Sequence, residues 1–311
     1  MTEIWLIPTD TGPEQARALL ALLDPAERAR ARSAPAGPQR HRFITAHAAA
    51  RLLTAAAAGL PPERIRWRHG PHGRPEPDGL DGRLSVNLST AGPWALFAVE
   101  RRPADGGAIG VDLEPVPTVE AAARLARRYY PEAETTGDAE EFTLRWTRKE
   151  AYTKARGGRL ADGLRTPAGP TGTPGPHRLY GPLGPCTVRD LPAPPGHRAA
   201  LARTGTRPLP PPNLRRYPID APELLARPDA PDLFGRAADG ELVHRAREGE
   251  QLGRADAAEL FGAREQSDRA APRVLVAARD SGAPQPCTDP PGRAAGAGPG
   301  GAHRSFAVRR P

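Results

Sequence analysis

At 311 residues, with 44 Lys and Arg against 36 Asp and Glu, the chain carries a net charge of +8 and a pI near 10.2. Hydrophobic residues make up only 38%, and 39 Pro and 33 Gly interrupt the sequence, which excludes a single core spanning the whole length. The N-terminus lacks a basic-then-apolar pattern and no apolar run reaches about 18 residues, so neither a signal peptide nor a membrane span is expected, and a soluble cytoplasmic protein is.

In chain order, residues 3–7 read as a short strand, and 13–23 as a helix with Leu19, Leu20, Leu22 and Leu23 at helical spacing. Asp24-Pro25 starts a second helix, the aspartate as cap and the proline at the first helical position. Residues 39–58 are rich in Ala and Leu, free of Gly and Pro, and closed by Gly59, which predicts a long helix. Strands are predicted at 65–68, 84–88 and 94–99, the last two forming a hairpin turned at Ala91-Gly92-Pro93. The pattern then restarts. A strand at 109–114 precedes helices at 119–130 and 139–156, the second ended by Gly157-Gly158, and strands at 186–191 and 198–202 are joined by a Pro-Pro-Gly turn. Each half runs strand, helices, strands, which predicts an α+β fold of two pseudo-symmetric lobes, about 1–105 and 106–205.

Pro208 to Pro212 opens a different region. Eleven of the fifteen aromatic residues precede residue 206, leaving Tyr217, Phe234, Phe261 and Phe306 for the rest. Residues 206–311 are therefore expected to form a disordered Pro/Gly/Ala/Arg-rich tail, with at most short helical pieces near 257–261. A frameshifted or read-through segment would share that composition. Cys186 and Cys287 are too far apart in sequence, and too few, to imply a disulfide framework. The basic balance favours an acidic partner such as nucleic acid, an anionic membrane, a polyphosphate ligand or an acidic protein, although GC-rich coding alone would also enrich arginine.

The chemistry-bearing residues cluster in two segments. In Ile109-Gly-Val-Asp-Leu-Glu114 the apolar residues take one strand face, so Asp112 and Glu114 share the other, with Gly110 leaving it uncrowded. Two adjacent carboxylates repel, and a divalent cation between them turns repulsion into ligation; the alternative is a half-buried strand with a solvated acidic face. In Trp146-Thr-Arg-Lys-Glu-Ala-Tyr-Thr-Lys154, Trp146, Glu150 and Lys154 fall on one helical stripe. A surface Glu–Lys pair explains two of these residues but not Trp146, Arg148 or Lys149. Arg74 lies in the Gly73-Arg-Pro turn, suited to an anion, and Ser85, Asn87 and Ser89 share one strand face whose hydroxyls could meet phosphate oxygens.

Taken in order, Gly73-Arg-Pro, Asn87-Leu-Ser-Thr, Gly110-Val-Asp-Leu-Glu and the 146–154 segment resemble the motif set of the 4'-phosphopantetheinyl transferases of the surfactin-synthetase-activating type. Arg42-Phe43, Arg51 and Pro195-Gly-His-Arg-Ala-Ala-Leu-Ala202 also fit, and the resemblance covers residues 1–205. It implies a monomer of two lobes with coenzyme A and Mg²⁺ in the cleft, and an apo acyl or peptidyl carrier protein of nonribosomal peptide or polyketide synthesis as partner. It implies no membrane and no specific nucleic acid. Asp112, Glu114 and Glu150 would hold Mg²⁺; Lys154 would contact the coenzyme A pyrophosphate; Arg42, Arg51 and Arg74 would meet phosphates with Ser89 and Thr90 nearby, and Arg28 is a further phosphate candidate. Glu150, Lys154 and Asp112 would be the catalytic set, with Glu150 as base either directly or through a bound water.

Two positions depart from the family's pattern. Thr90 stands where histidine is usual, which removes a charge-assisted bond, and Arg74 stands where lysine is common. Two other readings compete: a coenzyme A-binding relative with impaired catalysis, argued from Thr90, and a basic nucleic-acid-binding protein, argued from the pI. Against the latter, aromatic residues are not interleaved with the basic ones.

Overall fold

A computed structural model of the chain describes residues 2–101, 107–173, 175–209 and 211–217. The expected disordered tail from 218 onward, and the helical piece at 257–261, lie outside the described residues. The first half runs β1 (Thr2–Pro8), α1 (Pro13–Leu20), α2 (Pro25–Ser33), α3 (Pro38–Ala58), a short ribbon of β2 (Trp67–His69) and β3 (Pro75–Pro77), then the hairpin β4 (Leu84–Ala91) and β5 (Trp94–Arg101). The second runs β6 (Ile109–Pro115), α4 (Val119–Tyr129), α5 (Ala139–Arg156), α6 (Leu160–Leu164), β7 (His177–Gly181), β8 (Gly184–Leu191) and β9 (His197–Thr204).

The repeat of pattern is a repeat of topology. In each half the first strand pairs antiparallel with the last, β1 with β5 and β6 with β9, and the last pairs with the strand before it, β4 or β8. Strand alternation builds the layers. On β1, Trp5 and Ile7 pack with Phe97 and Val99 of β5 against Ala49, Leu52 and Leu53 of α3. The opposite-facing Ile4, Leu6, Leu96 and Ala98 meet Ile109, Val111, Leu113 and Leu201 from the second sheet, so the two sheets share one core. On the far side of the second sheet, Val188, Ala200 and Ala202 are covered by Ala151, Tyr152 and Ala155 of α5. An α/β/β/α stack results, matching the expected α+β class.

Several local expectations need correction. The first helix stops at Leu20, because Asp24, four residues later, forms a reciprocal capping box with Glu27 that starts α2. The strands β3 and β7 carry no alternating apolar pattern that predicts them. The largest correction is the domain end: β10 (Leu214–Arg216) pairs parallel with β1, and Leu209 and Tyr217 are buried, so the fold extends to 217 rather than stopping at 205. A three-residue strand among prolines has too few residues to show a period.

Candidate active site

Gly110 sets the approach of β6 to α5. A Cβ there would lie 2.3 Å from the Ala151 carbonyl oxygen and 2.4 Å from the Ala155 nitrogen, so only glycine lets the strand lie against the helix backbone. With β6 held close, Asp112, Glu114 and Glu150 bring one carboxylate oxygen each to within 4.8 Å of one another. The Asp112 carboxylate is fully buried. Its Oδ1 accepts from Lys154 Nζ at 2.5 Å and from Ser89 Oγ at 3.0 Å. Its Oδ2 is buried with no hydrogen-bond partner among the described residues, a costly state that a divalent cation would relieve. Three hard oxygen donors this close together fit Mg²⁺.

Three carboxylates face one ammonium, and the ionisation of Glu114, Glu150 and Lys154 shifts in response. Burial, with Asp112 and Glu150 alongside, pushes Glu114 up to about 9, while burial and Asp112 push Glu150 up to about 7. Burial alone would depress the Lys154 ammonium; Asp112 and Glu150 outweigh it and hold it above its ordinary value. Lys154 Nζ lies 3.6 Å from Glu150 Oε2 and 3.0 Å from Ser89 Oγ, so the lysine stands as the internal counter-ion of the acidic cluster.

The rest of α5 orients this face. Trp146, packed among Tyr129, Tyr130 and Phe142, donates its indole N–H to Glu150 Oε1 at 2.8 Å. That fixes one carboxylate oxygen and leaves Oε2 facing the cluster. Arg148 and Lys149 point away from it and are completely buried. Arg148 grips Asp190 with two bonds of 2.7 and 2.6 Å and donates to the Ala168 and Pro170 carbonyls. Lys149 binds Glu134 at 2.6 Å and the Leu164 and Thr166 carbonyls, under the Tyr130 ring. The two cations tie the 164–170 loop to the helix; their sequence neighbourhood hinted at function, but their work is structural.

The Ser85-Asn87-Ser89 face also has a role that the sequence did not reveal. β6 is the edge of its sheet, and its outward N–H groups need acceptors. Ile109 N donates to Ser85 Oγ at 3.1 Å, Val111 N to Asn87 Oδ1 at 2.8 Å and Leu113 N to Ser89 Oγ at 3.3 Å. Side chains of one lobe thus complete the strand of the other. Ser89 reaches the site through this seam, whereas Thr90, next in the strand, is on the opposite face and exposed.

The expected phosphate-binding arginines are not gathered round the acids. Arg51 is 1% exposed, paired with Asp24 at 2.8 Å and Glu27 at 2.5 Å, and donates to the Pro62 and Ile65 carbonyls. A phosphate contact by Arg51 is therefore corrected: the capping carboxylates of α2 already hold it. Arg28 donates to the Leu20 and Ala21 carbonyls at the end of α1. Arg42, half-buried, pairs with Asp10 at 2.5 Å. Arg74 alone reaches α5, on its backbone. A cavity of about 210 Å³ opens there, lined by His72, Gly73, Arg74, Asn87, Lys154 and Gly157 among others. A larger one of about 360 Å³ lies at the C-terminal end of α3 with no site residue in its wall. Lys154, which belongs to the acidic cluster, favours the smaller cavity as the ligand cleft.

The family model of the 4'-phosphopantetheinyl transferase superfamily matches residues 108–173, a span holding all three acids and Lys154. A putative 4'-phosphopantetheinyl transferase of Synechocystis is 30% identical over 175 residues, covering 52% of this chain and 67% of that protein. The chain belongs to the 4'-phosphopantetheinyl transferase superfamily. The 4'-phosphopantetheinyl transferase HetI of Nostoc is 29% identical over 168 residues, 51% of this chain and 69% of its own length. The chain is accordingly a transferase of the 4'-phosphopantetheinyl transferase type. Within the superfamily match, the loop tied down by Arg148 and Lys149 is included, whereas Arg74, Ser89 and Thr90 fall in the preceding lobe.

Proposed function

We propose that the chain transfers 4'-phosphopantetheine from coenzyme A to a serine of an apo carrier protein, releasing 3',5'-ADP, with Mg²⁺ held by Asp112, Glu114 and Glu150. The observation that carries this reading is the meeting of three carboxylates around a buried aspartate, with Lys154 on Asp112 Oδ1 and no hydrogen-bond partner for Asp112 Oδ2 among the described residues. The bound cation supplies charge neutralisation for pyrophosphate oxygens. The serine oxygen forms its bond to the β-phosphorus, the bridging P–O bond breaks, and 3',5'-ADP leaves with the electron pair. Glu150 takes the serine proton, directly or through a bound water. Lys154, held protonated, offsets charge growing on the leaving phosphate. Arg42 and Thr90, neither of which lines the smaller cavity, would meet phosphates of a ligand that extends beyond it.

The two-lobed single chain favours the surfactin-synthetase-activating subtype, acting as a cytoplasmic monomer on carriers of nonribosomal peptide or polyketide synthesis. Carrier proteins are typically acidic, which suits the net charge of +8. The full chain incubated with coenzyme A, MgCl₂ and apo carriers of both kinds should add the mass of phosphopantetheine to the carrier. No adduct on any of several carriers would overturn the activity and leave a coenzyme A-binding relative.

A further inference from the structure

We propose that Arg74 is a positioning residue: it latches the two lobes across the cleft and acts on the site through the backbone of α5 and β6. Its guanidinium leaves the first lobe from the turn before β3 and is 9% exposed. One terminal nitrogen donates to the carbonyls of Lys154 and Ala155, the latter at 3.1 Å. The other donates to the Ile109 carbonyl at 2.8 Å, the Val86 carbonyl at 3.3 Å and Ser85 Oγ at 3.4 Å.

Those acceptors are not a casual set. The carbonyls of Lys154 and Ala155 belong to the last turn of α5, where the helix dipole is negative and the Gly157 N–H at 3.2 Å serves Lys154 from the C-cap. A cation from the other lobe caps that turn. Ile109 opens the strand that carries Asp112 and Glu114, and Lys154 is itself the counter-ion of the cluster. One planar fork thereby fixes the acid-bearing strand relative to the lysine-bearing helix, with β4 as the anchor. A guanidinium can serve diverging acceptors in one plane; an ammonium presents all its donors from a single atom. To contact a phosphate instead, the side chain would have to surrender bonds that cap α5.

The consequence for catalysis rests on the metal and base assignments above, so the test has an arm independent of them. Hydrogen exchange of the full chain without ligand is compared for wild type, Arg74→Lys and Arg74→Met. The latch predicts exchange faster by about tenfold or more in β6 and the last turn of α5 for both variants, the loss of at least one charge-assisted bond. It also predicts weaker Mn²⁺ binding in the absence of nucleotide, and 3',5'-ADP affinity within about threefold of wild type for Arg74→Lys. Unchanged exchange would overturn the latch, and a Met variant that loses 3',5'-ADP while the Lys variant keeps it would make Arg74 a phosphate contact. Should Arg74→Met fail to fold, Arg74→Lys decides alone. A wild type that binds no Mn²⁺ would sink the metal assignment, and the exchange arm would still decide the latch.

Discussion

The helices α3 and α5 hold equivalent places in the two lobes, each packed on its own sheet and each ended by a left-handed glycine, Gly59 or Gly157. They use buried charge differently. α3 buries one cation, Arg51, and two carboxylates of its own lobe neutralise it. α5 buries Arg148 and Lys149, likewise cancelled within its lobe by Asp190 and Glu134. The very next residue, however, adds Glu150 to Asp112 and Glu114, leaving three carboxylates against Lys154. Charge cancelled locally makes structure; charge left in excess where the lobes meet makes a site. The topology repeats and the imbalance does not.

The contrast is broken or sharpened first at Glu150. Glu150→Gln keeps a ligand oxygen but loses the base, and transfer should fall about 10³-fold with little change in melting. Intact-mass kinetics give the rate, and transfer within tenfold of wild type would remove Glu150 from the chemistry. On the other helix, Arg51→Met leaves Asp24 and Glu27 uncompensated and should cost about 3–5 kcal/mol in urea unfolding. Transfer per folded molecule should stay within about threefold; selective loss of coenzyme A affinity at full stability would return Arg51 to the ligand. A change of pH tests the charge excess itself. Glu114 and Glu150, near 9 and 7 when folded against 4.5 unfolded, keep protons in the native state that the unfolded chain has lost. Stability should therefore fall as pH rises from about 4.5 to 9. Glu114→Gln should flatten that slope in melts without metal, and parallel slopes would contradict the cluster. Smallest is Thr90→His, exposed on β4, which should leave coenzyme A affinity unchanged or raise it about tenfold at most, by calorimetry. A fall in affinity would show that the threonine is not a loss.

What was legible in the sequence was local. The capping aspartate, the 139–156 helix with its glycine stop, and the Asp112/Glu114 face each follow from spacing within a few residues. The roles of Arg74, Ser85 and Asn87 were not legible, because their partners are backbone groups far along the chain in the other lobe. A carbonyl has no sequence signature. Arg51 was misread for a related reason: its type fits a phosphate, and only packing of α2 on α3 reveals its carboxylates. One signal was present and went unused. Lys149 and Lys154 are the only lysines in a chain otherwise basic through arginine, and both sit on α5. Each presents a compact ammonium to several oxygens at short range, where a planar guanidinium is too large.

The return of β10 to the first sheet bears on how the polypeptide is made. β1 and β5 can pair once about 100 residues have emerged, yet the outer edge of β1 waits for Leu214–Arg216. At about 5–20 residues per second, the interval between Arg101 and Arg216 lasts roughly 6–23 s. Throughout it, a strand carrying Ile4, Trp5, Leu6 and Ile7 presents an open edge to the crowded exit of the ribosome. The second lobe is thus synthesised as an insertion into an unfinished first one, and the nascent chain stays open to intermolecular strand pairing until β10 arrives.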